Sequence, residues 1–160
     1  MLTQSQEPQE PFVFRRVHPQ QFNSKSGLPK PQVFALRENE EGVSILHDSV
    51  VNARGALQAF IDDNTARLQD EDETARERAR KNLERFPTVE AMVELGWKIV
   101  KIPVSEIEKR GFELSEIEQN GHLEIRGEPE RFKECELDFV ELVQNGTARV
   151  LSDAECLVPS

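Results

Sequence analysis

The segment Arg15-Arg16-Val17-His18-Pro19 gathers two guanidinium groups and an imidazole in one short stretch. Guanidinium forks match phosphate and carboxylate oxygens through paired, charge-assisted hydrogen bonds, and a nearby imidazole can add a donor or move a proton near neutral pH. A second pair, His122 and Glu124, is spaced by two, which on a strand sets both on one face. If the two segments line one pocket, Arg15, Arg16, His18, His122 and Glu124 form a candidate site for a nucleotide or another phosphate ligand. The blander reading of the first cluster is a strand end whose arginines pair with the chain's abundant acids. For the second pair it is a half-exposed strand turning polar residues to water.

His122-x-Glu124 also resembles the opening of a zinc-deaminase signature, but the P-C-x-x-C half is missing: Cys135 lies in Glu134-Cys135-Glu136. The chain has no Walker or dinucleotide glycine loop, no G-x-S-x-G and no H-E-x-x-H. With no tyrosine and three histidines, acid–base groups other than carboxylates are few. His47 beside Asp48 stands at another strand end and adds nothing further. No catalytic residue is assigned, and neither a metal nor a cofactor is expected.

A formal charge of −10 argues against general binding to a phosphate backbone, where affinity comes from Lys and Arg displacing counterions. Two cysteines, Cys135 and Cys156, belong to no C-x-x-C pair and suit a reducing interior. Apolar runs such as 97–100 fall far short of the roughly 20 residues of a membrane helix. The first residues lack the basic start and apolar centre of a secretory signal, so a cytoplasmic location is expected.

The elements that must position these groups follow from the hydrophobic pattern. At 160 residues the chain is read as one domain: a disordered arm over 1–10, a single α+β domain over 11–153 and a flexible tail over 154–160. Phe12, Phe14 and Arg16 alternate with Val13, Arg15 and Val17 in a first strand. Turn formers and prolines make 23–31 a loop, and short strands are predicted over 32–36 and 43–46. A helix is predicted near 52–62, with Gly55 a blemish in it. A charged helix then runs to about Arg85, acids first and bases last, as the macrodipole favours. A capping box is offered by Thr74 and Glu77. A short helix with Gly96 as its C-cap leads into an apolar strand from Trp97, which Pro103 ends or places on an edge.

Ser105-Glu106-Ile107-Glu108 and Ser115-Glu116-Ile117-Glu118 share four letters, and each is read as one or two helical turns. Asn120-Gly121 signals a turn before a strand at 122–126. Phe132, Cys135, Phe139 and Val143 form the stripe of a last amphipathic helix, with a possible edge strand at 148–151. The sheet is expected to be mixed or mainly antiparallel, with helices packed on one face.

Phe14-Arg15-Arg16-Val17-His18-Pro19, Gly27-Leu28-Pro29, Gln32-Val33-Phe34 and Val43-Ser44-Ile45, followed by Gly96-Trp97-Lys98-Ile99-Val100 and His122-Leu123-Glu124-Ile125-Arg126-Gly127, carry a resemblance. In these blocks the chain resembles a family of small uncharacterised bacterial proteins with an R-R-V-H-P stretch and a later H-x-x-x-x-G strand. The chain departs from that pattern at Pro31-Gln32-Val33-Phe34, where small hydroxyl residues are missing, and in the charged stretch 64–85. The resemblance implies a shared small α+β fold and a bacterial origin.

Few apolar residues in the charged helix leave most of it facing water, as a solvated helix or as a partner surface. The leading expectation is a non-enzymatic acidic interaction protein, an accessory or immunity component of a bacterial conflict or defence system. A protein partner would dock on Asp70, Glu73, Arg76, Glu77 and Arg80, with no membrane binding. The alternative is a small enzyme or binding domain acting on a nucleotide or phosphate ligand through the Arg/His cluster.

Overall fold

The alternating segment Phe12–Val17 forms β1, hydrogen-bonded to a neighbour on each side. The structure is a computed structural model describing residues 11–35, 42–47, 51–116 and 122–159. Beyond β1 come the two-residue strands β2 (Phe22–Asn23) and β3 (Leu28–Pro29), then β4 (Gly42–His47). Two helices follow, α1 (Ala53–Arg67) and α2 (Glu73–Arg85). Next are α3 (Val89–Glu94), β5 (Lys98–Pro103), α4 (Val104–Lys109), β6 (Glu113–Glu116) and β7 (His122–Arg126). Last come α5 (Pro129–Gln144), β8 (Arg149–Val150) and α6 (Asp153–Cys156). None of the described helices is long and apolar enough to cross a membrane.

The fold is α+β, as expected. The main sheet has the order β6-β7-β4-β1-β5-β8, with antiparallel pairing throughout. Helices cover both faces of it, whereas one covered face was expected. The reason lies in the central strands, which are apolar on both sides. Val13, Val17, Val100 and Ile102 pack with Phe132, Cys135 and Phe139 of α5, while Phe14 and Ile99 pack with Leu57 and Ile61 of α1 and Met92 of α3. A strand with two apolar faces needs a layer against each.

Several local expectations change. Of the strand expected over 32–36, residues 32–34 belong instead to a 3-10 turn, Pro31–Phe34, with Val33 and Phe34 buried. Pro31 removes a donor that a ladder would use, and Phe34 instead stacks on Phe139 at 5.0 Å. The loop 23–31 holds the small β2–β3 pair, turned by Gly27 at φ 72°. The charged helix is capped by Asp72, which accepts from the Thr74 N–H, rather than by Thr74. Ser105–Glu108 is helical, but Ser115 and Glu116 pair with Glu124 and Leu123 in β6. After Gly111 at φ 84° and buried Phe112, sheet pairing overrides the local capping signal.

The segment 154–159, expected as a flexible tail, is docked on the α1 side. Cys156 is buried, the Arg54 guanidinium donates to the Leu157 carbonyl, and Asn52 Nδ2 donates to the Pro159 carbonyl at 3.1 Å. The expected disordered arm 1–10, the connection 37–41, Asp48 and the Asn120-Gly121 turn lie outside the described residues.

Candidate functional site

The adjacent arginines of β1 point to opposite layers because successive strand residues alternate. Arg15 Nε donates to the Val33 carbonyl at 3.0 Å and ties down the 31–34 turn. Arg16 faces α1, where Nη1 donates to the Ala56 carbonyl at 3.0 Å and the guanidinium lies 5.9 Å from the centroid of Phe60. Burial lowers the Arg16 pKa from its ordinary value; Asp63 opposes the shift and Arg67 adds to it. Arginine keeps its proton, so the shift measures how poorly this charge is solvated.

Where β1 leaves the sheet, Pro19–Gln21 forms a single 3-10 turn capped by His18. The His18 Nδ1 accepts the Gln20 N–H at 3.1 Å, which places the neutral ring's proton on Nε2. The ring stands edge-on to Trp97 at 5.1 Å and to Phe86 at 5.9 Å.

The opposite wall comes from α1, held at its start by Asn52, whose side chain accepts from the Gly55 N–H. This helix runs past the expected end at 62. Phe60, Asp63, Asn64 and Arg67, at i, i+3, i+4 and i+7, therefore share one face. Asn64 is 1 % exposed. Its Nδ2 donates to the Phe60 carbonyl at 2.8 Å, and its Oδ1 accepts from Asn82 Nδ2 of α2 at 3.0 Å. That bond bridges the two helices.

Trp97 is delivered by the end of α3. Gly96 adopts φ 105°, its N–H donates to the Val93 carbonyl and the Trp97 N–H donates to Met92, a Schellman-type closure. The indole is 4 % exposed and packed by Phe60 at 4.7 Å and Phe86 at 5.3 Å. Its Nε1 is buried and has no hydrogen-bond partner.

These pieces enclose a cleft of about 480 Å³ between the end of β1 and the α1–α2 pair. Of the residues singled out in the sequence, Arg15, Arg16 and His18 line it. Glu124 does not line it, because β4 separates β7 from β1, and the side chain of His122 lies outside what the structure describes. Glu124 instead lies 3.6 Å from the Arg126 guanidinium. Phe60, Asp63, Asn64, Arg67, Asn82 and Trp97 are contributors that the sequence reading missed. The readable signal was the 60-64-67 spacing, which continues a helical face beyond residue 62.

Most of the charged-helix residues singled out in the sequence have local partners. Arg76 Nη1 donates to the Asp70 and Glu71 carbonyls, and Arg80 pairs with Glu77. Asp70 Oδ1 accepts the Asp72 N–H, and Glu73 occupies the first turn of α2. Among the described residues no group of three or more His, Cys, Asp or Glu is placed to hold a metal ion. Burial pushes the Cys156 thiol up to about 11 and also raises that of Cys135, which makes both poor nucleophiles near neutral pH. No protein-family model, curated protein or solved structure matches the chain.

Proposed function

We propose that the chain is a binding protein for a small organic ligand bearing an anionic group, of the phosphate-ester or carboxylate kind, held in the cleft between β1 and α1–α2. The observation that carries this reading is Arg16, a poorly solvated guanidinium on the cleft wall beside Arg67. An anion supplied by a ligand would offset that lost solvation and be gripped by two cations. The volume, about 480 Å³, falls in the range of small-molecule sites. Phe60 supplies apolar wall, while Asp63 and Asn82 supply acceptors for donors on the same ligand. In this reading α2 serves as a wall of the cleft through Asn82. Two buried free thiols suit the cytoplasm, where we place the protein.

Isothermal titration with a panel of nucleoside monophosphates, sugar phosphates and aromatic carboxylates tests the reading. Arg67 is exposed, so Arg67→Ala should leave the fold intact and weaken binding about tenfold or more, the worth of a charged hydrogen bond. Failure of every anion to bind at millimolar concentration would remove the proposal.

A further inference from the structure

The wall that α1 lends to the cleft carries an acid between two cations, and the three do not pair. Phe60, Asp63 and Arg67 share one face of the helix, and Arg16 reaches that face from β1, on the Ala56 carbonyl and beside the Phe60 ring. Asp63 is near enough to favour the Arg16 charge, and Arg67 near enough to oppose it. Asp63 and Arg67 stand four residues apart, a spacing at which ion pairs on a helix are ordinary. Among the described residues, however, the Asp63 carboxylate forms no ion pair or hydrogen bond, and the Arg67 guanidinium forms none either. Both side chains are open to the cleft, Asp63 half-buried and Arg67 exposed.

A carboxylate without protein donors relies on water for its solvation, and a ligand that fills the cleft displaces that water. The loss goes uncompensated unless the ligand brings a donor of its own, best a cationic one. We infer that the cleft takes a small zwitterion, with an oxyanion of the phosphate or carboxylate kind on Arg16 and Arg67 and an ammonium group on Asp63. This rests on the binding reading above and adds the cationic half of the ligand and the residue that selects it. The two guanidinium groups alone would accept any small anion. Asp63 repels an anion that has no donor for it and attracts one that carries an ammonium, so the discrimination has a repulsive and an attractive part. Residues three and four apart on a helix carry their Cβ atoms about 5–6 Å apart. The two charges of the ligand are therefore joined by a short spacer, as in an amino acid or an aminoalkyl phosphate.

Calorimetry with two matched pairs tests this: propyl phosphate against aminoethyl phosphate, and propionate against glycine. In each pair an ammonium replaces a methyl group of similar size. Both pairs would be titrated at up to millimolar concentration into the wild type and into Asp63→Asn, which keeps the side-chain shape and removes the charge. In at least one pair the ammonium-bearing member should bind the wild type about tenfold or more tighter. Asp63→Asn should abolish that preference by weakening the ammonium-bearing member, while its partner binds as well as before or better. A damaged fold would weaken both members alike, so this crossing belongs to the charge of Asp63. The pair that shows it identifies the oxyanion. Equal affinities within both pairs, or a preference that survives Asp63→Asn, overturn the role of Asp63 and leave the anion reading standing. Absence of binding by all of these ligands overturns both readings.

Discussion

The bond between Asn64 and Asn82 should be the main specific tie between α1 and α2, and its strength can be worked from the structure. α2 buries one side chain fully, Ala79, with Leu83 partly buried at its far end, so little apolar area holds it to the domain. Asn64→Ala removes two side-chain hydrogen bonds, one to Phe60 and one to Asn82. At about 1 kcal/mol net each, the loss is about 2 kcal/mol. Asn82→Ala leaves the Asn64 Oδ1 unpaired at a site 1 % exposed, a penalty of about 1–3 kcal/mol. The double variant has already lost both ends, so its cost should fall short of the sum by about 1 kcal/mol, the coupling of the pair. Urea denaturation of the four proteins measures this, and each single variant should melt roughly 4–8 °C lower than the wild type. Hydrogen exchange should show the amides of α2 losing protection ahead of those of α1 in Asn82→Ala. Additivity within about 0.3 kcal/mol would refute the bond as a tie between the helices.

Glu155 has its pKa held down to about 2, chiefly by the Arg149 side chain and then by the Ser152 N–H. A folded pKa below the ordinary carboxylate value means the interaction stabilises fully above about pH 4.5 and is lost as pH falls towards 2. Glu155→Gln should therefore lower the urea midpoint near pH 6 and converge on the wild type near pH 2, with a gap narrowed by salt because the pair is largely exposed. A constant gap across that range would contradict the linkage. At Gly127 an added methyl would stand 2.6 Å from Phe112 Cδ1, and that ring cannot retreat because it packs on Phe132 at 4.6 Å. Gly127→Ala should cost about 1–3 kcal/mol by denaturation, and a cost under about 0.5 would show that the Phe112 ring can shift.

The parts of the molecule that were legible are those where one strong period decides. The two-faced alternation of Phe12–Val17, the Phe132-Cys135-Phe139 stripe and the Gly96 closure each read directly from residue type and spacing, and each stands in the structure where the pattern put it. Half of the cleft was legible for the same reason, since strand alternation carries Arg16 to one layer and ends at His18. The other half was hidden. Asn64 and Arg67 are polar residues that ended the hydrophobic pattern of α1, yet Asn64 is buried because another amide satisfies it, a contact eighteen residues away. Trp97 read as the start of a buried strand, since nothing in its neighbours shows that the indole N–H lacks a partner. Ser105–Glu108 is helical whereas Ser115 and Glu116 are strand, because pairing with β7 is a non-local contact.

The cleft lies on a seam between a well-anchored element and a weakly anchored one. Leu57 and Ile61 seat α1 in the core with Phe14 and Met92, whereas α2 brings mainly Ala79 and the far end of its helix. A ligand that touches Arg16 and Asn82 together can bind only when α2 is docked, so its binding free energy adds to the stability of that docked arrangement. The coupling is reciprocal: a change that loosens α2, such as Asn82→Ala, weakens the ligand by the same free energy with which it favours the open state. On α2 the Arg80–Glu77 pair supports one turn from within while the core contributes little, and Arg76 on the Asp70 and Glu71 carbonyls fixes the turn that feeds the helix. Under the proposed reading, a ligand held between Arg16 of the sheet and Asn82 of α2 would couple its own binding to the docking of that helix.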